Sequence, residues 1–121
     1  MENKQIVKQF LDNLFIDNDK AYEVVSDDIR ASWPGFGMED LVGKETLRTF
    51  FDENGPDKVI EQKVANFIAE NETVIGDGFI ITERNGKVEK SHFADIYTVQ
   101  NGKITNLKSY MVVDQGNKNQ E

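Results

Sequence analysis

FADIYTVQNGKITNLKSYMVVD, residues Phe93 to Asp114, holds two apolar-rich runs on either side of one Asn-Gly pair. Two runs rich in β-branched and aromatic side chains flank Asn101-Gly102, and Asn-Gly readily supplies the two left-handed residues of a tight type I′ turn. The stretch predicts a hairpin in which Val88 to Val99 pairs antiparallel with Ile104 to Val113. Upstream, Asn85-Gly86 repeats the signal after the run Thr73 to Thr82, so the last three strands should form an antiparallel meander. Gly76-Asp77-Gly78 lies inside that earlier run, where two glycines suggest a bulge or a sharp bend.

Further back, the apolar residues of KVIEQKVANFIAEN fit a helix nearly as well as a strand. We read Val59 to Ala69 as a strand. Before Pro56 the texture changes. Ile6, Val7, Phe10, Leu11, Leu14 and Phe15 recur at three- and four-residue spacings, which predicts a helix over Lys4 to Phe15 with one apolar face. Asp19 is placed to cap a second short helix through Tyr22, Val24 and Val25. Ile29 to Trp33 alternates as a short strand does, and Pro34-Gly35-Phe36-Gly37 ends it in an irregular loop. A third helix carries Leu47, Phe50 and Phe51 on one face, between Gly43 and Asn54-Gly55-Pro56.

These elements make one α+β domain over residues 1–113, and DQGNKNQE, residues 114–121, has no apolar anchor and is expected to be a disordered tail. At 121 residues the chain has room for one core. Its net charge of -8, with the basic residues scattered, argues against nucleic acid or an anionic membrane surface as partner. The N-terminus lacks the pattern of a signal peptide, and no run approaches the roughly 20 apolar residues of a membrane span, so a cytoplasmic protein is expected. With no Cys and the single His92, thiolate catalysis and His-pair or Cys-ligated metal sites are excluded.

The order helix, helix, short strand, helix, long antiparallel meander resembles the nuclear transport factor 2-like superfamily. The ending FADIYTVQNGKITNLKSYMVVD resembles the pattern of its SnoaL-like members, and GKETLRTFF, Gly43 to Phe51, is similar to their third helix. The resemblance covers residues 4–113. It implies a cone-shaped curved sheet wrapped around N-terminal helices, with a cavity at the open end. It implies no cofactor.

Alternation places Asp95 on the same strand face as Phe93 and Tyr97. A lone acid among aromatic rings is a candidate pocket acid, because desolvation disfavours the carboxylate and raises its pKa, leaving a group able to donate to a carbonyl. The other reading is an ionised Asp95 paired with Lys108 or Arg84. The position resembles that of the neutral acid of ketosteroid isomerases. Where that family has its basic Asp and its helix Tyr, however, this chain has Trp33 and Phe10, so isomerase activity by that mechanism lacks its base. SnoaL-like cyclases and limonene epoxide hydrolases carry a catalytic Asp just ahead of the aromatic residue matching Tyr110, where this chain has Ser109, whose hydroxyl cannot replace that acid.

His92 is one residue out of step with Asp95 and should face solvent or a partner subunit unless a bulge turns it inward. Trp33, Phe36, Met38, Phe50, Phe51, Phe67 and Tyr110 are candidates for the cavity wall, about four of them being expected there and the rest in the core. Tyr97 and Ser109 are counted with them as pocket residues, and Tyr97 and Tyr110 are candidate hydroxyl donors there.

Two functions follow as expectations. One is a protein that binds a small apolar or carbonyl-bearing molecule, with an isomerase, dehydratase or hydrolase type of chemistry built on Asp95 and Tyr110. The other is a non-catalytic module in which two chains pair as a homodimer through the open sheet face, with Ile60, Val64, Ile68, Ile80 and Ile96 on the outer side.

Overall fold

The structure is a computed structural model that describes residues 2–116. Helix α1 spans Asn3–Asn13 and opens with a reciprocal cap between Glu2 and Gln5, which satisfies backbone N–H groups that the first turn leaves without partners. Its buried stripe is Ile6, Val7, Phe10 and Leu11, each such side chain worth about 1.5–3 kcal/mol when fully removed from water. Leu14 and Phe15 lie beyond the helix, because the chain turns at Phe15 with φ 67° and the Phe15 N–H donates to Asn18 Oδ1 at 2.7 Å.

Helix α2 is shorter than expected, Asn18–Tyr22, and Asp17 rather than Asp19 accepts the capping bond, from the Lys20 N–H at 3.3 Å. Val24 and Val25 therefore leave the helix, and Val25 opens strand β1, Val25–Ser32. The β-branched pair favours the extended chain once Tyr22 ends the turn. A two-residue strand β2, Leu41–Val42, precedes α3, Lys44–Asn54. Four long strands follow: β3, Lys58–Glu70; β4, Thr73–Arg84; β5, Lys87–Gln100; and β6, Lys103–Val113.

The six strands form one sheet in the order β2-β1-β6-β5-β4-β3, antiparallel throughout except for the parallel pair β1 and β6. Asn85-Gly86 and Asn101-Gly102 make the two meander turns, with φ of 52° and 76° in the first and 52° and 77° in the second. Helix α1 lies across β3 to β6 and α3 against β1 and β2, so the sheet curls around them and stays open at one end. Phe10 sits at the hinge of this packing, edge-on to Tyr22 of α2 and to Tyr97 of β5 at centroid distances of 6.2 and 6.3 Å.

The expected break at Gly76 and Gly78 falls instead on the neighbouring strand. β4 runs unbroken, while β3 shifts register between Val64 and Asn66, opposite the two glycines. A Cβ on Gly78 would stand 1.8 Å from the Lys63 carbonyl oxygen, so the missing side chain is what lets the bulged β3 backbone close over β4. A second shift between Val59 and Glu61 changes the phase of β3.

The outer face differs from expectation at two positions, Val64 on the bulged β3 and Ile80 by the regular alternation of β4. Ile60, Ile68 and Ile96 are exposed, but Val64 packs against the core and Ile80 faces the concave side. Asp114, the first residue of the expected tail, is tied to β5. The Asp114 N–H bonds the Lys90 carbonyl and its carboxylate meets His92 Nε2, both at 2.8 Å, while the expected disorder of residues 117–121 lies outside the described residues. No helix among the described residues is long and apolar enough to cross a membrane.

Candidate functional site

A cavity of about 360 Å3 opens between the concave sheet and the helices. One wall is aromatic. Trp33, just past the end of β1, has ring centroids 5.6 Å from both Phe50 and Phe51 of α3, and Phe51 meets Phe15 edge-on at 5.2 Å. The Pro34 to Gly37 loop takes positive φ at Gly35 (90°) and Gly37 (70°) and swings Phe36, 55% exposed, to the cavity mouth.

The opposite wall is the sheet. Alternation along β5 turns Tyr97, Asp95, Phe93, Ser91 and Glu89 inward, and along β6 Leu107, Ser109, Met111 and Val113. Asp95 and Ser109 are direct cross-strand partners and both are buried. Tyr97 donates its hydroxyl to Asp95 Oδ2 at 2.9 Å, whereas Asp95 Oδ1 is buried with no hydrogen-bond partner among the described residues.

Burial pushes the Asp95 carboxyl up from 3.8 to about 6; the neighbouring Ser109 hydroxyl, not aligned for a hydrogen bond in this geometry, and the bonded Tyr97 hydroxyl oppose part of that rise by favouring the carboxylate. Tyr97 is itself held far above the ordinary tyrosine range by burial, then by the adjacent Asp95, so it remains a donor at any working pH. The arrangement can therefore exchange one proton near neutrality from a carboxyl backed by a fixed hydroxyl donor.

Of the residues singled out in the sequence, Trp33, Phe36, Met38, Phe50, Phe51, Tyr97, Ser109 and Asp95 line the cavity. Tyr110 does not. Ser109 faces inward, so its neighbour points to the outer side, opposite Ala94 and 43% exposed, which removes Tyr110 as a partner for Asp95. Phe67 is also displaced. Its ring rests on Gly76 and beneath the Lys4 ammonium instead of reaching the cavity.

Neither proposed cation pairs with Asp95. Arg84 donates to the Asn54 carbonyl, and Lys108 lies on the outer face opposite Ile96. His92 also stays outside, where its contact with Asp114 lowers the latter's pKa. Trp33 and Phe10, at the positions that the isomerase resemblance gives to a base and a Tyr, are both part of the wall.

Sequence reasoning passed over the polar mouth, formed by Gln62, Thr82, Arg84 and Glu89, and the apolar contributions of Leu14, Phe15 and Ile80. The signal was available for β5: the alternation that turns Asp95 inward continues through Ser91 to Glu89.

Solved structures share this architecture at low sequence identity. A nuclear transport factor 2-like protein of unknown function from Burkholderia xenovorans is 18% identical, with a TM-score of 0.78 over 97% of this chain and 88% of that one. A protein of unknown function with a cystatin-like fold from Xanthomonas campestris is 17% identical, with a TM-score of 0.78 over 93% and 92%. A putative SnoaL-like polyketide cyclase from Jannaschia sp. is 16% identical, with a TM-score of 0.75 over 90% and 84%. Among curated proteins none matches. The family model for the SnoaL-like domain matches residues 7–107, most of both helical and sheet layers, and the chain accordingly belongs to the SnoaL-like domain family.

Proposed function

We propose that this chain binds a small, largely apolar molecule in the cavity, with a carbonyl or similar polar group of the ligand meeting Asp95. The observation that carries the reading is the Asp95 Oδ1 atom, buried in an aromatic-walled cavity and left without a partner among the described residues. Buried polar atoms are almost always bonded, and an exception inside a cavity calls for a group from outside. Below a pH of about 6 the carboxyl offers a proton to a carbonyl oxygen; above it the carboxylate accepts one. Isomerase, dehydratase or hydrolase types of chemistry would draw on this single exchangeable proton, with Tyr97 in the supporting role once expected of Tyr110.

The test uses Trp33, the sole tryptophan, which stands in the cavity wall. A panel of cyclic and straight-chain ketones and their parent hydrocarbons is titrated while Trp33 emission is followed. Ketones should perturb it at lower concentration than the hydrocarbons, and Asp95→Leu should abolish that advantage. An emission unchanged by every compound would rule the reading out.

A second reading concerns the partner. Ile75 and Ile96 are cross-strand neighbours on the outer sheet face, and Tyr110 and Val112 are exposed on the same side. These apolar side chains, interspersed on the same rungs with Lys108, Asp77 and His92, support pairing of two copies of the chain through their sheets, compatible with an occupied cavity in each.

A further inference from the structure

The cavity has two polar ends, and the second is not used by the reading above. Along the inward row of β5, Tyr97 and Asp95 come first, then Phe93, then Ser91 and Glu89. Asp95 and Glu89 are six residues apart, roughly 20 Å at the rise of an antiparallel strand. Between them the lining is mainly apolar, with Phe93 and Met111 on the sheet and Trp33 and Phe50 on the other wall, and Ser91 the polar residue of that row. A compact ligand that satisfied Asp95 would leave the mouth unfilled.

At that mouth stands Arg84, the last residue of β4 and the one cationic side chain of the lining among the described residues. Its Nη2 donates to the backbone carbonyl of Asn54, which fixes the guanidinium against the end of α3. Arg84 forms no ion pair among the described residues. A guanidinium has five N–H donors in a planar fork, so one bond to Asn54 leaves the group able to take a carboxylate.

We propose that the ligand is two-ended: an elongated apolar molecule whose terminal carboxylate is held by Arg84 while its carbonyl-bearing end lies against Asp95. This rests on the reading of the cavity as a small-molecule site. Glu89, on the rung beside Thr82, also lines the mouth and weakens the attraction for an anion. It favours a carboxylate, which carries one charge, over a group carrying two.

The experiment compares straight-chain keto acids of increasing length with their methyl esters and with the keto amines of equal length, all by Trp33 emission at pH 5.5, where Asp95 keeps most of its proton and the ligand carboxylate is already ionised. Once the chain is long enough to span the cavity, the acid should bind roughly three- to tenfold more tightly than its ester, the range expected of a partly exposed Arg–carboxylate pair. The amine should bind most weakly. Arg84→Met should erase the preference for acid over ester while leaving ester affinity in place, and Arg84→Lys should retain part of it.

Equal binding of acid and ester by the native chain, or a preference that survives Arg84→Met, overturns the two-ended ligand but leaves the cavity reading standing. An amine that binds as tightly as the acid overturns it too, because Glu89 would then govern the mouth. If no compound perturbs Trp33, both readings fall together.

Discussion

The hydroxyl of Tyr97 donates to Asp95 Oδ2 at 2.9 Å, joining residues i and i+2 of one strand on the concave face of the sheet. Neighbouring side chains two apart on a strand share a face, so the contact is built into the alternation of β5. Because the bond favours the ionised form, its removal should raise the Asp95 pKa further above 6. In Tyr97→Phe, which keeps the ring packed against Phe10, loss of a hydrogen bond worth about 1.4 kcal/mol corresponds to roughly a tenfold rise in proton affinity. A carbon-13 NMR titration of the Asp95 carboxyl measures it, and an unchanged or lowered midpoint contradicts the assignment of Tyr97 as donor.

The same carboxyl makes stability depend on pH. Its ordinary value is 3.8 and its folded value about 6, so between those limits the folded chain binds more protons than the unfolded one. Its contribution is complete below about pH 3.8 and is lost as the pH rises through 6. The total is about 3 kcal/mol. Asp95→Asn carries a neutral group at every pH, so its stability relative to the native chain should increase from pH 4 to pH 7.5 by a figure of that order. Urea denaturation at the two pH values checks this, and a constant difference would mean that Asp95 is solvated in both states.

Closure of the sheet depends on Gly78. An added methyl would lie 1.8 Å from the Lys63 carbonyl oxygen and 3.0 Å from Val64 Cα, both backbone atoms that cannot rotate away. Gly78→Ala should cost about 3 kcal/mol or more, the upper end for overpacking. At Gly76 the nearest atom would be Phe67 Cδ1 at 3.3 Å, which a small ring shift relieves, so Gly76→Ala should cost less. Equal midpoints for the two variants in urea would show that β3 can slide off the bulge.

Much of this sheet was legible because its signals are local. Asn85-Gly86 and Asn101-Gly102 specify their turns by the φ they tolerate, and the turns fix the register that carries Asp95 inward. Where a second strand decides the outcome, the sequence is silent: the β3 bulge that brings Val64 toward the core is set by the glycines opposite it. Tyr110 was misplaced for a different reason. Counting both Ser109 and Tyr110 as cavity residues conflicts with a period of two, and only one of the pair can face in. The rim escaped notice because Gln62, Thr82, Arg84 and Glu89 look like ordinary solvated residues until the sheet curves and gathers them.

The outward turn of Tyr110 bears on the proposed pairing of two chains. On the outer face Ile96 lies beside Ile75 on β4, while the next rung carries Ala94 beside Tyr110 on β6. A stable interface needs about 800 Å2 from each copy, and a strip of this kind at its centre would supply the apolar part. Ile96→Lys places a charge in that centre, beside the like-charged Lys108 of β6, without touching the cavity, since residue 96 alternates away from Asp95 and Tyr97. Desolvating an unpaired ammonium in each copy should weaken association by two orders of magnitude or more, at roughly 1.4 kcal/mol for each tenfold step. Sedimentation at micromolar concentration should show the native chain as a dimer and the variant as a monomer, with ketone-dependent Trp33 emission alike in both. A native monomer would remove the pairing while leaving the cavity untouched, and a variant that still dimerises would move the interface to another face.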